Sequence, residues 1–237
     1  MLEELKEKVY KANLELVKQN LVIYTWGNVS EITEDRKYVV IKPSGVNYDS
    51  MKPKDMVILD LEGNVVEGEL RPSSDAPTHL EIYKKFDKIG GIVHTHSIWA
   101  TEWAQACRSI PAYGTTHADY FYGDIPCTRK LTKEEIEEAY EKNTGKIIIE
   151  TFENIDVEAV PAVLCAGHGP FAWGKDSNEA VYHAVVLEKC AEMAYFTEKI
   201  SENKARISQD LLDKHYLRKH GKDAYYGQKN NNIKRGI

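Results

Sequence analysis

Two histidines, His94 and His96, are separated by a single residue, and this residue type and spacing can serve metal binding. They stand in GGIVHTHSIWA, residues 90–100, directly after an apolar run. Because successive side chains of a β-strand alternate between its faces, a strand here would turn both imidazoles to the same side as Ile92. Converging neutral imidazoles are typical ligands of a divalent metal ion. A pair of surface histidines at a strand end has the same pattern, so the pair alone does not decide between the two.

A third imidazole, His168, occurs in a similar setting. In AVLCAGHGPFAWG, residues 162–174, it follows an apolar run and lies between Gly167 and Gly169. Glycines allow a sharp turn and a close approach of the backbone to a ligand. Three histidine ligands leave a coordination position of zinc open, as catalysis requires. The alternatives are a turn histidine at 168 and a soft ligand at Cys165, although the apolar surroundings of Cys165 favour a buried thiol.

Three loops rich in small residues suggest what such a metal ion would act on. They are TWGNVS (25–30), KPSGV (42–46) and RPSSD (71–75). Backbone N–H groups and serine hydroxyls in turns of this kind can bind a phosphate, and Lys42 and Arg71 add positive charge. Each loop taken singly is also typical of an ordinary turn. Together they predict an anion site.

The elements that must position these residues are both helices and strands. Apolar residues at helical spacing, from Leu2 to Leu16, predict an initial amphipathic helix. Thr132 with Glu135, and Asp176 with Glu179, are capping patterns that predict further helix starts. Strands are predicted over 38–41, 56–59, 65–66, 90–94, 146–150 and 162–166, and helices over 78–86, 133–141 and 176–202. Short turns between strands, without regular βαβ alternation, predict an α/β layered domain with a largely antiparallel sheet.

Bulk properties exclude several classes of protein. The 237 residues suffice for one sizeable domain, and a formal net charge of −6 argues against a nucleic-acid binder. No apolar run approaches the roughly 20 residues that span a bilayer, so no membrane partner is expected. Glycine-rich nucleotide-binding signatures are absent. The charged N-terminal segment lacks a signal-peptide core, and four scattered cysteines predict reduced thiols in a cytoplasmic protein.

Longer motifs carry a family resemblance. They are TWGNVS, IKPSGV, PSSDAPTH, GGIVHTHS, GTTHADYFYGDIPCTR, GHGPFAWG and LLDKHYLRKHGKDAYYGQ. These segments resemble the class II aldolase/epimerase family, and within it the L-ribulose-5-phosphate 4-epimerases, from the first helix to about residue 228. The resemblance implies one catalytic domain over residues 1–228, of class II aldolase-like, three-layer α/β fold with a mainly antiparallel central sheet between helices. A polar tail, residues 229–237, follows without an assigned role.

The resemblance also implies the composition of an active site. His94, His96 and His168 would ligate one Zn²⁺, or another divalent ion, per subunit, with Asp75 as the carboxylate beside it. Asp119 of THADY and Tyr226 of AYYGQ would be the paired acid/base groups. The active sites would lie between adjacent subunits of a C4 homotetramer. The implied substrate contacts are Gly27, Asn28, Lys42, Ser44, Gly45, Ser73, Ser74, Thr116, Glu141 and His215.

The implied reaction interconverts L-ribulose 5-phosphate and D-xylulose 5-phosphate in arabinose catabolism. The C4–H bond is not adjacent to the ketone, so inversion at C4 requires cleavage and re-formation of the C3–C4 bond. A metal ion would stabilise the charge that develops on the ketose oxygens. Two alternatives stay open: an aldolase that releases glycolaldehyde phosphate or a similar aldehyde, and a non-enzymatic protein with a structural zinc. A structural zinc site is usually closed by four protein ligands, often cysteines.

Overall fold

The computed structural model describes residues 2–202 and 204–227, so the expected polar tail at 229–237 lies outside the described residues. Seven α-helices, one 3₁₀ helix (Pro53–Asp55) and seven strands follow one another along this part of the chain. The helices are α1 (Glu3–Lys18), α2 (Ala76–Lys85), α3 (Ile98–Gln105), α4 (Thr115–Ala118), α5 (Lys133–Thr151), α6 (Ser177–Ile200) and α7 (Gln209–His220). The strands are β1 (Asn28–Ile32), β2 (Tyr38–Ile41), β3 (Val57–Asp60), β4 (Val65–Glu67), β5 (Gly91–His94), β6 (Ala162–Leu164) and β7 (Pro170–Gly174).

The strands form one seven-stranded sheet in the order β4-β3-β2-β1-β5-β7-β6. Every pairing within it is antiparallel, which confirms the predicted sheet type. Strand β5 lies between β1 and β7, with His94 opposite Asn28 on one side and opposite Phe171 on the other. The pairing of β5 with β7 therefore joins two parts of the chain that are far apart in sequence.

Helices cover both faces of the sheet, as β1 shows. Ser30 points to one face, where its hydroxyl is hydrogen-bonded to His79 and Tyr83 of α2. Glu31 points to the opposite face, where it accepts a hydrogen bond from Lys8 of α1 and one from the backbone of Ser177 at the start of α6. This alternation gives the three-layer arrangement expected for the chain.

Two helices begin where the capping patterns predict. Thr132 accepts a hydrogen bond from the backbone N–H of Glu135, whose carboxylate accepts one from the N–H of Thr132. Asp176 accepts a hydrogen bond of 2.9 Å from the N–H of Glu179 and starts α6. Such caps satisfy donors that have no partner inside the helix.

One predicted strand is wrong. Residues 146–150 continue helix α5, where Ile147 and Ile148 are buried. A short apolar run with three isoleucines suits a buried strand as well as a buried helix segment, and periodicity does not separate them. None of the helices within residues 2–202 and 204–227 has the length and hydropathy needed to cross a membrane.

Candidate active site

Three imidazoles meet at the end of β5. His94 is the last residue of that strand, His96 lies in the loop after it, and His168 lies in the turn between β6 and β7. Their ring centroids are 4.7–5.0 Å apart. The strand stops at His94, so the expectation that one strand carries His94 and His96 is wrong, although both rings reach the same point.

The three histidines fit a divalent metal ion. One nitrogen from each ring lies within 4.8 Å of those of the other two. The Nδ1–H of His94 faces the carbonyl of Pro170 at 2.9 Å, which leaves Nε2 as the available ligand atom. Burial, with the neighbouring rings of His94 and His96, lowers the pKa of His168 to about 4. Neutral imidazoles of this kind suit zinc and similar ions.

Cys165 does not join this group of potential ligand atoms. Its side chain is buried, as its apolar surroundings predict, and burial raises the pKa of the thiol. Metal binding requires the thiolate, so the buried environment opposes a ligand role. All four cysteines have free thiols.

Glycines beside His168 allow the turn that presents its ring. Gly167 has a φ of +75°, a conformation that residues with a β-carbon rarely adopt. A β-carbon on Gly169 would lie 2.8 Å from the carbonyl oxygen of Thr95, which is too close. Gly167 therefore makes the predicted sharp turn, whereas Gly169 allows a close approach to the backbone of Thr95, and the approach to a ligand stays a prediction.

The phosphate-type loops and the histidines line one cavity of ≈ 570 Å³, a size typical of small-molecule sites. Two loops are joined by backbone hydrogen bonds of 3.0 Å, from Ser44 to Arg71 and from Ser73 to Lys42. Arg71 itself does not line the cavity, although Ser73, Ser74 and Asp75 of the same loop do. The residues lining the cavity are Thr25, Trp26, Gly27, Asn28, Lys42, Pro43, Ser44, Gly45, Ser73, Ser74, Asp75, His94, His96, Tyr140, Glu141 and His168.

Lys42 supplies a buried positive charge to this cavity. Its side chain is 1% exposed, and its Nζ donates a hydrogen bond to the carbonyl of Pro43 and lies 4.9 Å from the ring centre of Tyr48. Burial lowers the pKa of Lys42 to about 8. Among the described residues no carboxylate pairs with it, so its charge is available to an anionic ligand.

Asp75 also faces the cavity. It occupies the N-cap position of α2, but its carboxylate does not cap the helix and instead accepts a hydrogen bond of 2.6 Å from the amide of Asn28. Burial alone would raise the pKa of Asp75, but the nearby imidazoles of His94 and His79 and the bond from Asn28 lower it. Its carboxylate lies outside the group of three potential ligands, so its place beside the metal stays a prediction.

Tyr140 is a cavity residue that the sequence does not reveal. Helix α5 is broken at Ala139, whose φ of −162° and ψ of 74° are not helical. After the break, Tyr140 and Glu141 line the cavity, and the phenol oxygen of Tyr140 lies 3.3 Å from Nδ1 of His168. Only its position next to Glu141, which the resemblance supplies, points to it.

Asp119 belongs to a second cluster, built with α7. Its carboxylate faces Nδ1 of His215 at 3.1 Å, accepts hydrogen bonds of 2.9 Å from Arg218, and lies 3.4 Å from Nζ of Lys219. Burial opposes ionisation of Asp119, but the bonds from Arg218 and His215 lower its pKa below the ordinary value. The carboxylate therefore stays charged near neutrality.

Tyr226 packs against the same cluster. The ring of Tyr226 lies 4.9 Å from the guanidinium of Arg218 and 4.4 Å from Nζ of Lys219. Its side chain is 61% exposed. The histidine cavity is not lined by Asp119, His215 or Tyr226. Thr116 lines a different, smaller cavity. The structure therefore joins the predicted acid/base groups to each other but not, within one chain, to the histidines.

Comparisons with known proteins agree with this fold. A family model described as the class II aldolase and adducin N-terminal domain matches residues 7–195. An L-fuculose 1-phosphate aldolase structure is 27% identical, with a TM-score of 0.75 over 90% of this chain and 94% of the other.

Two more distant structures support the fold alone. L-fuculose 1-phosphate aldolase from Glaciozyma antarctica PI12 is 17% identical, with a TM-score of 0.75 over 94% of this chain and 84% of the other. YgbL from Klebsiella pneumoniae, whose description leaves aldolase, epimerase and decarboxylase activity open, is 19% identical, with a TM-score of 0.69 over 90% and 99%.

Proposed function

The chain belongs to the class II aldolase and adducin family, and from this premise we propose that it is a zinc-dependent L-ribulose-5-phosphate 4-epimerase. The observation that carries the proposal is the shared cavity, in which three imidazoles face loops with a buried Lys42 that no carboxylate of the described residues pairs with. This arrangement suits a sugar phosphate whose oxygens reach the imidazole end while its phosphate binds at Lys42 and the serine loops.

A second candidate is a sugar-phosphate aldolase, which the 27% identity to an L-fuculose 1-phosphate aldolase favours. The two activities share the step that breaks a carbon–carbon bond and differ in whether the aldehyde leaves. We prefer the epimerase because the segments GTTHADYFYG and AYYGQ resemble epimerases. These segments carry Asp119 and Tyr226, the groups that would move the proton.

A divalent ion bound at the three histidines would supply Lewis-acid stabilisation of the oxygens that become negative when the C3–C4 bond breaks. The residues of the chain do the rest. Lys42, Ser44 and the loop serines hold the phosphate, and the walls of the cavity orient the ketose. A base removes the C4 hydroxyl proton, the O–H electrons form the aldehyde, and the C3–C4 electrons pass to the ketose fragment as an enediolate.

The aldehyde then turns its other face to the enediolate, the C3–C4 bond re-forms, and an acid returns a proton to the new C4 alkoxide. Acid/base groups on opposite faces of the aldehyde are needed, and we assign Asp119 and Tyr226 without deciding which serves which epimer.

Because Asp119 and Tyr226 lie outside the histidine cavity, we propose that a second copy of the chain provides them. A cyclic homotetramer would bring the α7 cluster of one subunit to the cavity of its neighbour. In this proposal the catalytic domain comprises residues 1–228, Thr116, Glu141 and His215 assist substrate binding, and the free thiols suit a cytoplasmic location.

The test is an epimerisation assay with L-ribulose 5-phosphate, in which D-xylulose 5-phosphate is measured with and without a chelator. We expect turnover that the chelator abolishes and added Zn²⁺ restores, while circular dichroism shows a folded apo-protein. Trapped glycolaldehyde phosphate in stoichiometric amounts would instead identify an aldolase. Unfolding on metal removal would favour the structural-zinc alternative.

A further inference from the structure

The break in helix α5 is held in place by side chains. The amide of Asn143 donates a hydrogen bond of 2.8 Å to the carbonyl of Glu135, before the break. The hydroxyl of Thr78, on α2, donates one of 2.6 Å to the carbonyl of Glu141, after the break. These bonds attach the backbone on both sides of the break to side chains, one of them on a neighbouring helix, so contacts outside the backbone ladder of α5 brace the interruption.

Close packing of α5 on α2 fixes the same segment from behind. A β-carbon on Gly145 would lie 2.7 Å from Cβ of Glu81 and 3.1 Å from the carbonyl oxygen of Thr78. Only glycine permits this approach without a shift of one helix. The hydroxyl of Thr144 also donates to the carbonyl of Tyr140 at 2.9 Å. The backbone of Tyr140 is therefore held on several sides, and its ring is directed toward His168.

The direction of the hydrogen bond between Tyr140 and His168 determines which nitrogen of His168 can bind a metal ion and whether the hydroxyl of Tyr140 can donate to a ligand. A neutral imidazole has one N–H and one lone pair. If Nδ1–H of His168 donates to the phenol oxygen 3.3 Å away, the lone pair of Nε2 is left for a metal ion. The phenol then keeps its own O–H, which has no other partner among the described residues and lies at the cavity wall.

We propose that Tyr140 has a double role: it positions His168 for metal binding, and it donates its hydroxyl proton in a hydrogen bond to an oxygen of the bound ketose. This inference rests on the proposed function, because it takes the metal and the sugar phosphate as the occupants of the cavity. A donor at this place stabilises negative charge on the substrate oxygen as the C3–C4 bond breaks.

The experiment compares Tyr140→Phe with Tyr10→Phe, a matched loss of one hydroxyl on α1 outside the cavity. Zn²⁺ affinity is measured by competition with a chromophoric chelator, and kcat and KM are measured at saturating Zn²⁺. For Tyr140→Phe we expect metal affinity to fall about tenfold. We expect kcat to fall about 100-fold with KM nearly unchanged, since the donor acts mainly on developing charge. Tyr10→Phe should match the wild type.

Wild-type metal affinity in Tyr140→Phe would overturn the positioning role, and an unchanged kcat at saturating metal would overturn the donor role. Failure of the proposed function would look different. A wild-type protein that binds Zn²⁺ but does not convert L-ribulose 5-phosphate would contradict the epimerase, while the comparison of metal affinities would still test whether Tyr140 positions His168.

Discussion

The histidine cavity and the Asp119 cluster differ in how each is built. The cavity is formed at the sheet itself. His94 ends the central strand β5, and His168 lies in the turn that leads into β7, the strand paired with β5. The Asp119 cluster lies at the end of the four-residue helix α4 and is held by cationic side chains of α7. The cavity presents three imidazoles and a buried lysine, while the cluster is a carboxylate surrounded by cationic side chains.

This difference separates two tasks. In the proposed function, strand ends fixed by antiparallel pairing would hold a metal ion and a phosphate in constant positions, which favours a rigid site. The proposed proton-transfer groups, Asp119 at the end of α4 and the exposed Tyr226 after α7, lie where a neighbouring subunit could be reached. In the proposed homotetramer, one chain would contribute the binding half of an active site and the proton-transfer half of another.

The strongest test of the cavity is His96→Ala. His96 is the exposed member of the three histidines, so the loss of its ring should leave the fold intact. We expect bound zinc to be lost and turnover to fall at least about 1,000-fold, because the Lewis acid is removed. Metal analysis, circular dichroism and the epimerase assay check this result. His183→Gln, on α6 outside the cavity, should retain zinc; equal zinc content in both variants would refute the assigned ligand set.

The corresponding test of the second cluster is Asp119→Asn. We expect turnover to fall about 100-fold while zinc content stays at the wild-type level, because a proton-transfer group is removed and the ligands are untouched. Asp213→Asn, a carboxylate of α7 bonded to Tyr122 and Gln209, is the matched control and should keep its activity. Unchanged turnover in both Asp119→Asn and Tyr226→Phe would remove the acid/base assignment.

Mixing the two inactive proteins tests whether the regions cooperate between chains. After subunits of His96→Ala and Asp119→Asn are exchanged in equal amounts, about one quarter of the shared sites would pair an intact cavity with an intact Asp119. We therefore expect recovery of about one quarter of wild-type turnover. No recovery in mixed oligomers, verified by mass spectrometry, would mean that both halves must come from one chain.

The smallest effect concerns pH. Because burial lowers the pKa of Lys42 to about 8, its charge is present at pH 7 and is lost as the pH rises through 8. Phosphate binding should weaken accordingly, with KM rising up to about tenfold between pH 8 and pH 9. In Lys42→Arg the guanidinium stays charged, so KM should not rise over this range, whatever its absolute value. The same rise in both proteins would exclude Lys42 as its cause.

The sequence predicts the cavity better than it predicts the connection between cavity and cluster. The capping residues Thr132 and Asp176 start helices where expected, and the glycines around His168 have the predicted geometry. These features depend on local chemistry, which a sequence displays directly. The strand predicted at 146–150 fails because its partner surface, helix α2, is not visible in the local pattern.

Tyr140 shows the limit most clearly. Its role depends on a helix break held by Asn143 and by Thr78, which stands on another helix. The sequence gives no local sign of this break, because residue 139 is an alanine and neither a proline nor a glycine. The separation of Asp119 from the histidines is likewise a property of the folded chain, because spacing along the sequence does not give distance in space.

The register between β5 and β7 determines on which face of the sheet His94 lies, and this offers a way to assess whether the protein is correctly folded. His94 stands opposite Phe171, three residues after His168, and side chains alternate between the faces of a strand. A slip of one residue in this pairing would turn His94 to the opposite face of the sheet. If the three histidines bind a metal ion as proposed, molecules that fold with the wrong alignment would fail to bind it, so metal content would report the fraction of correctly formed protein in a preparation.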